Sequence, residues 1–178
     1  MKKDTIEIPL SKKKMMLKLL GSILFCCIGL WLIIKQPVSS NLFLSNPIVT
    51  LLIGCISILF FGIITISILN KFRNSNIGLT INAEGIIDNT SGISGGLILW
   101  KDIIDIQKTT VVNQQFLKII TNNPQLYIDK QKSVFKKKAM LLNYKSYGSP
   151  IFISANTLQI NFDTLYETVL EKYLFYKS

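Results

Sequence analysis

Two uninterrupted apolar runs, residues 19–34 and 47–69, dictate what this chain can fold into, because neither contains a charged side chain. Crossing the hydrocarbon of a bilayer takes roughly 20 apolar residues, each adding about 1.5 Å of helix. Residues 47–69 reach that length unaided, and 19–34 reaches it once 15–17 are added and Lys18 extends its ammonium to the interface. The expectation is a membrane α-helical hairpin with transmembrane helices at 15–34 and 47–69, joined by an external loop at 35–46.

The lysines orient that hairpin. Lys2, Lys3, Lys12, Lys13, Lys14 and Lys18 precede the first span, Lys71 and Arg73 follow the second, and only Lys35 lies between them. Basic residues accumulate on the cytoplasmic side of short-looped membrane proteins. Both termini are therefore expected in the cytoplasm, with the protein in the bacterial cytoplasmic (inner) membrane. A cleaved signal peptide would end in small residues, whereas Lys35 and Pro37 follow the first run and a second run comes directly after. Residues 1–14 form a basic cytoplasmic N-terminal segment. Within it Ile6 and Ile8 alternate over a short stretch that is either a strand docking on the later domain or a tail.

Of the 178 residues, 72–178 remain for one globular cytoplasmic domain, enough to bury a core without disulfides. Cys26, Cys27 and Cys55 all lie in the apolar runs at no metal-ligand spacing and read as small apolar fillers. A remainder without cysteine suits a reducing compartment. From Gly78 onward, short alternating segments divided by turn residues predict antiparallel β structure. Leu79 and Ile81 alternate, 82–85 turn, 86–88 form a second strand, and Ser91, Gly92, Ser94, Gly95 and Gly96 turn the chain into 97–100. Ile104 and Ile106 open another strand, 113–115 turn it, 116–121 continue it, and 126–128 make a further short strand. Residues 130–147 break the pattern and predict a helix ended by Gly148 and Pro150. Residues 151–154 return to strand, and 163–176 predict a final helix with Leu165, Tyr166, Val169 and Tyr173 on one face.

Many short strands closed by one amphipathic C-terminal helix resemble the bacterial pleckstrin-homology-like (PH-like) fold. The resemblance is carried by "GLTINAEGIID" from Gly78, "LWKDIIDI" from Leu99 and "LQINFDTLYETVLE" from Leu158. The whole chain also resembles a family of small bacterial membrane proteins with two spans followed by such a domain, through "IEIPLSKKK" from Ile6, the Trp100-Lys-Asp-Ile string and "MLLNYKSYGSPIFISANTL" from Met140. The resemblance implies a fold and a location. It implies no catalytic residue, cofactor or metal, since that family has no established activity.

The formal charge of +10 is distributed as a membrane surface would require. Lys130, Lys132, Lys136, Lys137, Lys138 and Lys145 alternate with Phe135, Met140, Leu141 and Leu142. Such a helix either lies on anionic lipid, at about 1 kcal/mol per lysine, or packs its apolar side on the sheet and leaves its lysines in water. The candidate lipid-surface residues are Lys12, Lys13, Lys14, Lys132, Lys136, Lys137 and Lys138. For Lys12, Lys13 and Lys14 the baseline role is orientation of the span. Nucleic acid is not an expected partner, because no aromatic residues are set among the lysines on an exposed sheet face.

Asp102 and Asp105, three apart, are a carboxylate pair to consider for acid/base or metal chemistry, and on an alternating strand they point to opposite sides unless residues 101–102 form a turn. Trp100 reads as core or strand-edge packing. Gly92, Gly95 and Gly96 lack the Gly-Lys-Ser/Thr and the following helix of a phosphate loop. The chain contains no histidine. The expected function is therefore non-enzymatic: an integral membrane protein presenting a PH-like interaction or membrane-surface module in the cytoplasm. The alternative is a membrane-embedded immunity protein against a toxin acting at the inner membrane. A membrane enzyme ranks below both, since the spans offer only Ser22, Thr50, Ser57, Thr65, Ser67 and the cysteines as polar groups at depth. The expected partners are the bilayer with its anionic head groups, a protein of unknown identity, and a second copy of the chain through the small residues Gly21, Ser22, Gly29, Gly54, Cys55 and Ser57. No cofactor is expected.

Overall fold

The computed structural model describes residues 5–35, 46–74 and 76–177. Lys2, Lys3 and most of the expected external loop, residues 36–45, lie outside the described residues. In chain order the elements are β1 (Ile6–Pro9), α1 (Lys12–Lys35), α2 (Pro47–Asn74), β2 (Ile77–Ile81), β3 (Gly85–Asp88), β4 (Gly96–Leu99), β5 (Ile103–Val111), β6 (Gln114–Thr121), α3 (Pro124–Asp129), α4 (Val134–Tyr147), β7 (Ile151–Ile153) and α5 (Phe162–Lys177). They form two compact units. Lys12–Ser75 is one, and Met1–Ser11 together with Asn76–Ser178 is the other.

In the first unit, α1 and α2 span 24 and 28 residues, long and apolar enough to cross a membrane. Only 11% and 6% of their apolar stretches are buried, whereas the core helix of a water-soluble protein buries most of its length. Without a hydrophobic drive between helices in lipid, close packing and interhelical hydrogen bonds must hold such a pair. Gly54 supplies the close approach. A Cβ there would lie 2.6 Å from Ile33 Cγ1 and 2.8 Å from the Gly29 carbonyl oxygen. Ser57 Oγ donates to the Phe25 carbonyl at 3.1 Å, Thr65 Oγ1 donates to Ser22 Oγ at 2.9 Å, and Phe25 stacks on Phe61 at 4.4 Å.

The second unit is a β domain built from both ends of the chain, not from 72–178 alone. The Ile6–Ile8 stretch is a strand. It pairs antiparallel with β2, Ile8 opposite Leu79 and Pro9 opposite Ile77, and β3 and β4 extend this sheet in the order β1-β2-β3-β4. A second antiparallel sheet runs β5-β6-β7. The end of β1 is also held by the segment before α5: Ser11 N donates to the Thr157 carbonyl at 2.8 Å, Gln159 N donates to the Pro9 carbonyl at 3.0 Å, and Leu10 bridges Leu158. Alternation places Ile8, Leu79, Ile81, Ile86 and Ile98 of one sheet and Leu117, Ile119, Ile151 and Ile153 of the other in the core. α5 adds Phe162, Leu165, Val169 and Tyr173. Tyr166, expected on that buried stripe, is instead half-buried with the Lys108 ammonium 4.5 Å from its ring.

Two expectations are corrected. Residues 126–128 are helix, not strand: the Asn123 side chain accepts from Leu126 N at 3.2 Å and Pro124 occupies the first turn, so the Asn-Pro pair starts α3. The β5–β6 turn falls on Val112 and Asn113, one residue before 113–115, both with positive φ (46° and 58°). This is the two-residue hairpin geometry whose twist matches the strands.

Asp88 is fully buried, and its carboxylate accepts from Thr90 N at 2.8 Å, Thr90 Oγ1 at 2.7 Å and Gly95 N at 3.1 Å. Asp88→Ala strands those donors and is expected to cost about 3 kcal/mol in a denaturant titration. A second prediction follows from the split domain. Replacing residues 12–75 by a turn of about four residues is expected to give a water-soluble domain with cooperative thermal unfolding. Residues 76–178 alone are expected to remain unfolded, having lost Ile8, Leu10 and the outer hydrogen bonds of β2.

Candidate functional site

α4 carries the largest single-sign charge cluster of the β domain, and its two sides differ. Met140 is fully buried, and Lys136, Lys137 and Asn143 are half-buried around it. At about 100° per residue, Val134, Phe135, Lys138, Leu141, Leu142 and Lys145 fall on the opposite side. There Phe135 is 73% exposed, Val134 68% and Leu142 65%, and both lysines are exposed. Gly148, with φ 77°, ends the helix in the left-handed conformation and donates its N–H to the Tyr144 carbonyl at 2.9 Å. Thus one side of α4 packs, and the other presents lysines among large apolar side chains.

The candidate lysines separate accordingly. Lys137 Nζ lies 3.7 Å from the Asp129 carboxylate, and Lys130 sits 5.3 Å over the Tyr127 ring. Lys136 and Lys137 belong to the packed flank, whereas Lys132 and Lys138 are exposed. Lys145 joins the exposed side although it was outside the candidate set. Counting three, seven and ten residues on from Phe135 gives Lys138, Leu142 and Lys145, a helical periodicity that was there to be read.

Lys12, Lys13 and Lys14 are exposed in the first turn of α1, which contains no acidic residue. Cations at a helix N-terminus oppose the macrodipole by a few tenths to about 1 kcal/mol each. Their presence there is not explained by the stability of the helix itself. Lys35, Lys71 and Arg73, in the last turns of α1 and α2, agree with the dipole.

Three carboxylates of the β domain, Asp88, Asp102 and Asp105, are engaged by the domain's own groups. Trp100–Asp102 is a 3-10 turn, yet Asp102 and Asp105 are bonded to different groups. Asp102 Oδ2 accepts from the Tyr127 hydroxyl at 2.8 Å, while Asp105 accepts from Ile106 N at 2.8 Å and Gln107 Nε2 at 2.7 Å. In the glycine loop, Gly95 N–H already donates to Asp88, so the loop encloses a carboxylate instead of a phosphate. Trp100 is buried, donates Nε1 to the Asn82 carbonyl at 2.8 Å and stacks on Tyr176 at 5.7 Å. Beside it an open cleft of about 600 Å³ is edged by Glu84, Lys101 and Lys177. Lys177 Nζ there donates to the Ile104 carbonyl at 3.1 Å and to the Tyr173 hydroxyl. Among the described residues, no three His, Cys, Asp or Glu side chains converge as metal ligands would.

Burial, reinforced by the hydrogen bond to Asp102, pushes the Tyr127 phenol from 10.0 up to about 12. The folded state thus favours the neutral phenol, and this contribution to stability is complete below pH 10 and drains away as pH rises toward about 12. In a phenolate-absorbance titration of the six tyrosines, Tyr127 is expected to ionise last or only on unfolding. Tyr127→Phe is expected to flatten the alkaline loss of stability above pH 10. Comparison of the chain with protein-family models, with curated proteins and with solved structures gave no match in any of the three.

Proposed function

We propose that this chain is a non-enzymatic two-span protein of the bacterial inner membrane, whose PH-like domain works at the cytoplasmic surface as an interaction module. The observation that carries this reading is the pairing of β1 with β2 across residues 12–75. A strand pair cannot form through a bilayer, because backbone groups in hydrocarbon must be satisfied within a helix or a closed barrel. Pro9 and Ile77, being register partners, share one side, so the chain between them crosses an even number of times. α1 and α2 supply two crossings. The lysines before α1 and the Lys71 and Arg73 pair after α2 favour the cytoplasm as that side.

Two antiparallel sheets of four and three strands with an amphipathic C-terminal helix fit the PH-like resemblance. The domain's carboxylates Asp88, Asp102 and Asp105 serve its own loops and turns, which supports a role in contact over one in chemistry. The test is labelling of intact cells with an impermeant maleimide, in a chain whose Cys26, Cys27 and Cys55 are replaced by alanine. Ser40→Cys is expected to label from outside, and Val112→Cys only after permeabilisation. Labelling of Val112→Cys in intact cells would invert the topology.

A further inference from the structure

We propose that the outward side of α4, formed by Phe135, Lys138, Leu142 and Lys145, is a docking face for anionic phospholipid. The two apolar side chains enter the head-group region, and the two ammonium groups meet head-group phosphates. The inference rests on the membrane-surface reading above and names the ligand of that surface.

Charge supplies the first argument. No carboxylate occurs between Asp129 and Asp163, while Lys130, Lys132, Lys136, Lys137, Lys138 and Lys145 all fall in that interval. Lys137 faces Asp129, and Lys130 sits over the Tyr127 ring. Lys132, Lys138 and Lys145 are exposed and, among the described residues, form no ion pair. The surface is therefore cationic without compensation and fits an anionic occupant.

Apolar exposure supplies the second. A helix face that only needed solvation would not carry Val134, Phe135 and Leu142 each about two-thirds or more exposed. A polyanion such as nucleic acid would satisfy the lysines and leave Leu142 and Val134 in water. A lipid interface satisfies both, since lysine stems lie along apolar surface while the ammonium reaches the phosphates. Covalent geometry supplies the third. Only Leu10 and Ser11 separate β1 from α1, and two residues separate α2 from β2. Under the two-span reading, links this short keep the domain at high effective concentration beside the bilayer, so even a weak face would be occupied.

The test uses the full chain in lipid nanodiscs, with the native cysteines replaced and an environment-sensitive fluorophore on Ser146→Cys, an exposed position on the flank of α4. A second label on Val112→Cys, at the 91% exposed hairpin tip, serves as the control. In discs containing phosphatidylglycerol the Ser146 label is expected to shift to the blue and resist an aqueous quencher, and in phosphatidylcholine discs to stay open. Raising salt from about 0.05 to about 0.5 M shortens the screening length and is expected to reverse the shielding. Lys138→Gln with Lys145→Gln is expected to weaken docking roughly 30-fold, and Phe135→Ala with Leu142→Ala to abolish the blue shift. Lys137→Gln is expected to leave the signal in place. Equal quenching in both lipids, or shielding indifferent to salt and to both lysines, overturns the proposal. A cytoplasmic domain with an indifferent label overturns this inference alone, whereas outside labelling at residue 112 overturns the reading beneath it.

Discussion

The antiparallel pairing of β1 with β2 is the interaction on which the rest of the structure depends. It joins four residues near the start of the chain to a sheet that resumes only after residues 12–75 have intervened. Closing a flexible loop of that length costs about 4 kcal/mol, and the packing of α1 against α2 lowers this by bringing the loop ends together. In return, Ile8 and Leu10 enter the core, each removing apolar surface worth roughly 1.5–3 kcal/mol from water. The strand is gripped on both sides, by β2 along its length and by residues 157–159 at its end. The α-helical hairpin is thus an insertion within the β domain, not a separate module placed ahead of it.

Basic residues meet opposite helix-dipole environments at the two ends of the long helices. At the C-terminal turns of α1 and α2, Lys35, Lys71 and Arg73 oppose the partial negative charge of unsatisfied carbonyls. At the N-terminal turn of α1, Lys12, Lys13 and Lys14 repel the partial positive charge, so their reason must lie outside the helix. In α4 the division runs around the axis: Lys137 closes on Asp129 while Lys138, one residue further, points away with Phe135 and Leu142. A run of three consecutive lysines cannot be read as one patch, because a helix spreads it through about 200°.

What was legible in the sequence was what period and composition control. Two apolar runs gave two helices, alternation gave most of the strands, and the 3.6-residue rhythm of Leu165, Val169 and Tyr173 gave the closing helix. Less legible was whatever depended on a partner distant in sequence. The stretch at Ile6–Ile8 was compatible with a strand or a tail, since its pairing partner lies beyond both long helices. Asn123-Pro124 carries turn chemistry and helix-start chemistry in the same two residues, and only the bond from Leu126 N distinguishes them. Tyr166 satisfied the helical period, yet Lys108 on β5 claimed its ring. Among the α4 lysines, choosing the exposed ones required knowing that Met140 is the residue driven into the core.

The double grip on β1 has a consequence for biogenesis. β1 precedes every other described strand yet is the last to find all its partners, for it must wait through both long helices for β2 and through all the other strands for residues 157–159. At about 5–20 residues per second of synthesis, β1 stays unpaired for several seconds or longer while the apolar helices emerge. A chain stopped before residue 157 would carry two apolar helices beside an open sheet edge, the kind of surface that recruits strangers. Completion of the fold therefore reports that translation has passed residue 159.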